Sequence, residues 1–128
     1  MTTVTAINAD AAPQAEGGYH QAVLVENAKR LLFVSGQIPE SPDGQVPGDF
    51  ESQCRLVWAN VLAQLHAAQM TPANLTKVTI FLSSRQYAEA NSRIRREMLD
   101  GHSPALTVIV TGIFDEKWLL EIEAYAAA

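Results

Sequence analysis

Between Phe50 and Met98 the chain changes its hydrophobic period twice, which limits the fold more than any other feature. Phe50, Cys54, Val57, Val61, Leu65 and Ala68 recur every three or four residues, the spacing of an amphipathic helix of about five turns. Asp49 stands before it as a good N-cap, and Met70-Thr71-Pro72 ends it. Lys77 to Leu82 then alternates, with Val78, Ile80 and Leu82 on one face, as a strand does. Tyr87, Asn91, Ile94 and Met98 return to helical spacing; Ser83 or Ser84 caps this second helix and Gly101 stops it. Strand-like segments flank this block: Thr3 to Ile7, Tyr19 to Val25 and Leu31 to Ser35 before it, Leu106 to Val110 and Trp118 to Tyr125 after it. The order β, β, β, α, β, α, β, β predicts an α+β domain, a single mixed six-stranded sheet with both helices on one face. No helix is left for the other face. Val, Ile and Leu side chains there would form an apolar patch of the kind that marks association, so a closed homo-oligomer with bare sheet faces packed together is expected.

Local signals refine this outline. Leu31 to Val34 read as a buried strand that ends on Ser35-Gly36-Gln37, a hydroxyl, a bare backbone and an amide. Glu26-Asn27-Ala28-Lys29 separates it from the preceding strand and suggests a hairpin with Asn27 at its tip. Ser41 to Gly48 holds two prolines and two glycines and reads as a surface loop.

With 128 residues, 48% of them hydrophobic and 18% charged, the chain suits one compact domain over residues 1–128. A net charge of −5 and a pI near 5.0 argue against nucleic acid or anionic lipid as a partner. The opening segment has neither a basic start nor an apolar h-region, and no apolar run reaches the roughly 18 residues needed to span a bilayer. The single Cys54 excludes an internal disulfide. A cytoplasmic domain without membrane attachment is expected.

Motifs for metal, phosphate or nucleophilic chemistry are missing, and His20, His66 and His102 lie far apart. Cys54 falls on the inner stripe of the first helix, and His66 falls near its surface. Three features remain. Asn91 is an amide on a buried stripe, and either bonds a loop or meets a ligand. Glu121 and Glu123 share one face of the last strand, opposite Leu120, Ile122 and Ala124, so they point either to solvent or into the oligomer. The third is Ser35-Gly36-Gln37. Arg93, Arg95 and Arg96 cluster on the second helix beside Glu89 and Glu97 and read as a largely neutralised, solvated face.

Gly-Gly-Tyr-His-Gln-Ala at 17–22, Val-Ser-Gly-Gln-Ile-Pro at 34–39, Asn91, Ser-Pro-Ala at 103–105 and Glu-Ile-Glu-Ala at 121–124 closely resemble the Rid family, the YjgF-type or L-PSP reactive-intermediate deaminases. The resemblance runs over nearly the whole chain with the motifs in order. It implies a chorismate-mutase-like (ferredoxin-like) fold, a homotrimer with sheets inside and helices outside, and small-molecule clefts between subunits. It also implies hydrolysis of imines or enamines without metal or cofactor. By the same resemblance Tyr19, Ser35, Gly36, Asn91, Ala105 and Leu106 line the cleft, and Glu121 is the catalytic residue.

One position departs. Active deaminases of the family carry an arginine directly after Pro-Ala, where it grips the substrate carboxylate; here that position is Leu106. Leucine donates no hydrogen bond, and each one to a charged group contributes about 1.5–3 kcal/mol. The expectation is therefore a C–N hydrolase that is not an efficient 2-iminoacid deaminase, with Arg85 or Lys117 as possible substitute cations. A non-catalytic metabolite-binding trimer is the alternative, and endoribonuclease, a label used in parts of the family, ranks last.

Overall fold

The computed structural model describes residues 1–128. It contains strands β1 (Thr3–Ile7), β2 (Ala22–Glu26) and β3 (Leu31–Gln37), helix α1 (Phe50–Ala67), strand β4 (Leu75–Leu82), helix α2 (Ala88–Leu99), and strands β5 (Ala105–Val110) and β6 (Leu120–Ala127). The α+β order is the expected one. β6 lies between β3 and β4 and runs antiparallel to both, while β5 joins β4 in parallel, so the order is β3-β6-β4-β5. Parallel β4 and β5 need a crossover, and α2 is that crossover.

The helices start and stop where local chemistry requires. Asp49 Oδ2 accepts from the Ser52 N–H at 2.9 Å, capping α1. At the other end the Met70 N–H donates to the Leu65 carbonyl at 2.8 Å and the Gln69 N–H to the His66 carbonyl at 2.9 Å. This closure holds Gln69 at φ 58°, a left-handed conformation usually given to glycine. Ser84 caps a short 3-10 turn, Arg85–Tyr87, that leads into α2. Val57, Trp58, Val61 and Leu65 of α1 and Ile94 of α2 pack on Val78, Ile80 and Leu82 of β4 and on Leu120, Ile122, Ala124 and Ala126 of β6. One sheet face carries the core. No helix is long and apolar enough to cross a membrane.

Three expectations need correction. The six strands form a two-stranded ribbon, β1-β2, and a four-stranded sheet, joined only by a bridge between His20 and Ala105. β2 and β3 do not form a hairpin. β2 pairs with β1, whereas the Lys29 and Arg30 N–H groups both donate to the Ala128 carbonyl at 2.9 Å. Those bonds lead β3 away to the end of β6, and Asn27, at φ 60°, turns the corner between the two sheets. Nor is β3 a buried strand: Leu31 and Phe33 are 63% and 70% exposed, and only Val34 is inside. Alternation sends Leu31 and Phe33 to the face without helices, where Phe33 meets Tyr125 edge to face at 5.5 Å.

Candidate functional site

The residues singled out in the sequence fall into two groups. The first lies where β3 meets β6. Register is regular from Leu31 to Val34, then shifts by one residue before Gln37 pairs with Ile122. Ser35 and Gly36 occupy this bulge, the irregularity that re-aims a strand end. Gly36 leaves room there for Glu121, because a Cβ on it would overlap the Glu121 carboxylate and sit 2.8 Å from Glu121 Cδ, forcing that side chain to move. Glu121 and Glu123 pair in register with Phe81 and Thr79, on the face away from the helices. Half-burial, with Glu123 alongside, raises the Glu121 carboxyl above the usual carboxylate range. The arrangement presents a proton-accepting group beside an unshielded stretch of backbone.

The second group lies at the opposite edge. The His20 N–H donates to the Pro104 carbonyl at 3.0 Å, and the parallel bridge from His20 to Ala105 holds this segment along β5, where Tyr19 and Leu106 line one cavity. Leu106 pairs with Val78 and Val108 with Ile80. Val78 and Ile80 are fully buried against the helices, so Leu106 and Val108 face the helix side. A cavity of about 420 Å³ opens there, lined by Glu16, Tyr19, Ser92, Arg95, Arg96 and Leu106 among others. Asn91 is buried one turn before Arg95, and its Oδ1 has no hydrogen-bond partner. Leu106 and Glu121 therefore lie on opposite faces of one sheet. One protomer does not bring them together.

The arginine cluster is not the neutralised, solvated face read from the sequence. Only Arg93 fits that description, and its partners are Glu51 at 3.5 Å and Glu97 at 3.8 Å, with Arg55 bridging the same two carboxylates. Arg95 is 97% withdrawn from solvent, since it retains 3% exposure. Its Nε is unpartnered and it makes no ion pair. Burial, and secondarily the neighbouring Arg96, push its guanidinium below its ordinary value, while Tyr19 acts the other way. The missed signal was positional, because residue 95 follows Asn91 by four and so falls on the same inner stripe.

The two substitute cations are elsewhere. Arg85 and Lys117 are exposed and line neither group; the Lys117 carbonyl instead accepts a bond from Gln53. His20 and His102 line a second cavity of about 280 Å³, but both rings hold structural bonds. Asn8 Nδ2 meets His20 Nδ1 at 3.1 Å, and His102 Nε2 donates to the Leu75 carbonyl at 2.7 Å. His66 is exposed. Cys54 is fully buried, which pushes its thiol up to about 12. No group of three or more His, Cys, Asp or Glu is placed to hold a metal ion.

The model of the family described as Endoribonuclease L-PSP matches residues 9–128 of the chain. RutC family protein PM1466 of Pasteurella multocida is 37% identical over 131 residues, covering 98% of each chain. TdcF of Escherichia coli K12, described as a candidate reactive intermediate deaminase, is 31% identical over 124 residues, 94% of each. The crystal structure of E. coli TdcF with bound serine has a TM-score of 0.74 at 29% identity, covering 97% of this chain and 98% of that one. YyfB of Yersinia pestis, from the conserved Rid protein family, has a TM-score of 0.85 at 25% identity over 98% of both chains.

Proposed function

Since the chain belongs to the L-PSP family of Rid proteins, we propose that it acts as a homotrimer whose inter-subunit clefts hydrolyse an imine or enamine other than the usual 2-iminoacid. The observation that carries this reading is the split site. Tyr19 and Leu106 lie at one edge of the sheet, Ser35, Gly36 and Glu121 near the other, with Leu106 and Glu121 on opposite faces. A ligand that touches both sets needs one from each of two copies. The exposed Leu31, Phe33, Ile109 and Tyr125 supply apolar surface for such packing.

In this site Glu121 takes a proton from a water as its oxygen adds to the imine carbon, and returns that proton to the departing nitrogen. The C=N bond becomes C–N in the tetrahedral adduct. As the adduct collapses, Glu121 passes the proton of its hydroxyl to the nitrogen, so C=O forms and C–N breaks, releasing ammonia, or an amine if the nitrogen is substituted. A raised carboxyl suits both halves, because a base poised nearer neutrality also serves as the acid. The Gly36 backbone holds the reacting nitrogen or oxygen, and Tyr19 and Asn91 complete the wall. Leu106 gives an apolar surface where the family's deaminases carry arginine.

Ammonia release from freshly generated imines, corrected for spontaneous hydrolysis, tests this reading. Wild type is expected to turn over an imine without an α-carboxylate, its carboxylate placed elsewhere, faster than the corresponding 2-iminoacid, Leu106→Arg to reverse that preference, and Glu121→Gln to abolish both activities. Inertness of wild type and Leu106→Arg toward the whole panel refutes the enzyme and favours a metabolite-binding trimer, for which Leu106 is the supporting feature. Efficient 2-iminoacid hydrolysis by wild type refutes the inference from Leu106.

A further inference from the structure

Arg95 presents an imbalance within the protomer. A guanidinium taken out of water needs a counter-charge and acceptors for its donors, yet Arg95 is 3% exposed and pairs with no carboxylate. Its orphaned Nε is a donor without an acceptor, one helical turn from the orphaned Asn91 Oδ1. Arg95 lies where α2 borders the cavity that Leu106 also lines.

The surrounding chain is shaped to leave this cation in place. Gly17 and Gly18 have φ of 117° and 72°, conformations that side chains rarely adopt. A Cβ on Gly18 would lie 2.9 Å from Arg96 Nε and 3.0 Å from Arg95 Nη2. The two glycines thus let the loop pass close over both guanidiniums, and Arg96 Nη2 donates to the Gly17 carbonyl at 3.4 Å. Of the charged side chains lining the cavity, two are cationic, Arg95 and Arg96, and one is anionic, Glu16, which forms no ion pair with either. The surplus is one positive charge.

We propose that Arg95, assisted by Arg96, is the anion-binding group of this cavity and holds a small organic monocarboxylate from the α2 side, so that the cation comes from α2 rather than from position 106. The planar fork of Arg95 supplies paired donors for a carboxylate, and about 420 Å³ is ample for a molecule of a few carbons. Leu106 packs the apolar part of the ligand, and Tyr19 offers a hydroxyl at the rim. The carboxylate is consequently held from a different direction relative to the reacting carbon. This rests on the reading of the cleft as a small-molecule site, but not on whether chemistry occurs there.

Isothermal titration at constant ionic strength with isobutyrate, its uncharged counterpart isobutyramide, and inorganic phosphate is the test. Wild type is expected to bind isobutyrate saturably, phosphate more weakly and the amide not at all. Arg95→Gln should weaken isobutyrate at least tenfold, Arg95→Lys should lie between, and Arg85→Gln on the exposed surface should match wild type. A melting curve without ligand supplies the second readout. Because the guanidinium is buried and unpaired, Arg95→Gln should melt at or above the wild-type temperature. Equal isobutyrate affinity in wild type and Arg95→Gln, equal affinity for the amide, or tighter phosphate binding overturns the assignment. So does a fall of several degrees, loss of the oligomer or failure to fold in Arg95→Gln, which would make the residue a structural strut. Carboxylate binding without imine turnover leaves this inference standing and removes the enzyme; turnover untouched by Arg95→Gln, with no carboxylate binding, removes this inference alone.

Discussion

Gln53 offers the sharpest test of how the strand carrying Glu121 is held. Its side chain is 1% exposed. Nε2 donates to the Pro47 carbonyl at 2.8 Å and the Lys117 carbonyl at 2.9 Å, while Oε1 accepts from the Leu119 N–H at 2.8 Å. One amide on α1 therefore ties down the loop before the helix and the entry to β6, two residues ahead of Glu121. Gln53→Met keeps the length of the side chain and removes all three bonds. Three backbone groups lose a partner at about 1 kcal/mol each, the low end of the range, because partly buried groups regain some water. The apolar replacement offsets roughly 1 kcal/mol of this. The net loss expected is about 2 kcal/mol, or about 5–10 °C in melting temperature for a domain of this size. Urea denaturation checks it as a lower midpoint at unchanged slope. A loss below about 0.5 kcal/mol would refute the reasoning, since it would mean that these backbone groups find equivalent partners without Gln53. Gln53→Glu keeps the acceptor for Leu119 but sets a carboxylate against two carbonyls, and should be at least as unstable near neutral pH.

Other expectations can be checked one residue at a time. Gly36→Ala drives a methyl into the Glu121 carboxylate, so imine turnover should fall at least tenfold while the folded state survives by circular dichroism. The Glu121 carboxyl is raised in the folded state, so its contribution to stability is fully present below the ordinary value of 4.5 and is lost as pH rises through the raised folded value. Glu121→Gln should therefore melt like wild type at pH 4 and gain over it by pH 7.5. Gln69 holds a left-handed conformation at the end of α1, and Gln69→Gly should stabilise the protein by about 0.5–1 kcal/mol in urea denaturation. Cys54, buried with its thiol pushed up to about 12, should resist iodoacetamide at pH 8 in the native protein and react in urea.

Much of the architecture was legible because it is periodic. The inner stripe of α1, the alternation of β4, and the split of β6 into Leu120, Ile122 and Ala124 against Glu121 and Glu123 all follow from spacing alone, and burial agrees with each. Gly36 stood out as an interruption of an apolar run, and the bulge facing Glu121 accounts for it. Where the sequence reading failed, residue type had been allowed to override position. Leu31 and Phe33 were read as buried because they are apolar, and Arg95 as solvated because it is charged. Their places in the period sent the first two to the bare sheet face and the third to the inner stripe of α2. Gln53 was missed for the same reason: it adjoins Cys54 on the buried side of α1, and polarity hid it.

By itself the sequence determined which segments are helix and strand and which residues of each share a face. These are local matters, set by repeats of two or of about 3.6 residues. Only the tertiary structure decided that β2 pairs with β1 and β3 with β6, that Arg95 faces a cavity with no counterion, and that Leu106 and Glu121 lie on opposite faces. Those outcomes depend on the register between strands distant in the chain. A shift of one residue there exchanges the two faces of a strand while leaving its local pattern unchanged.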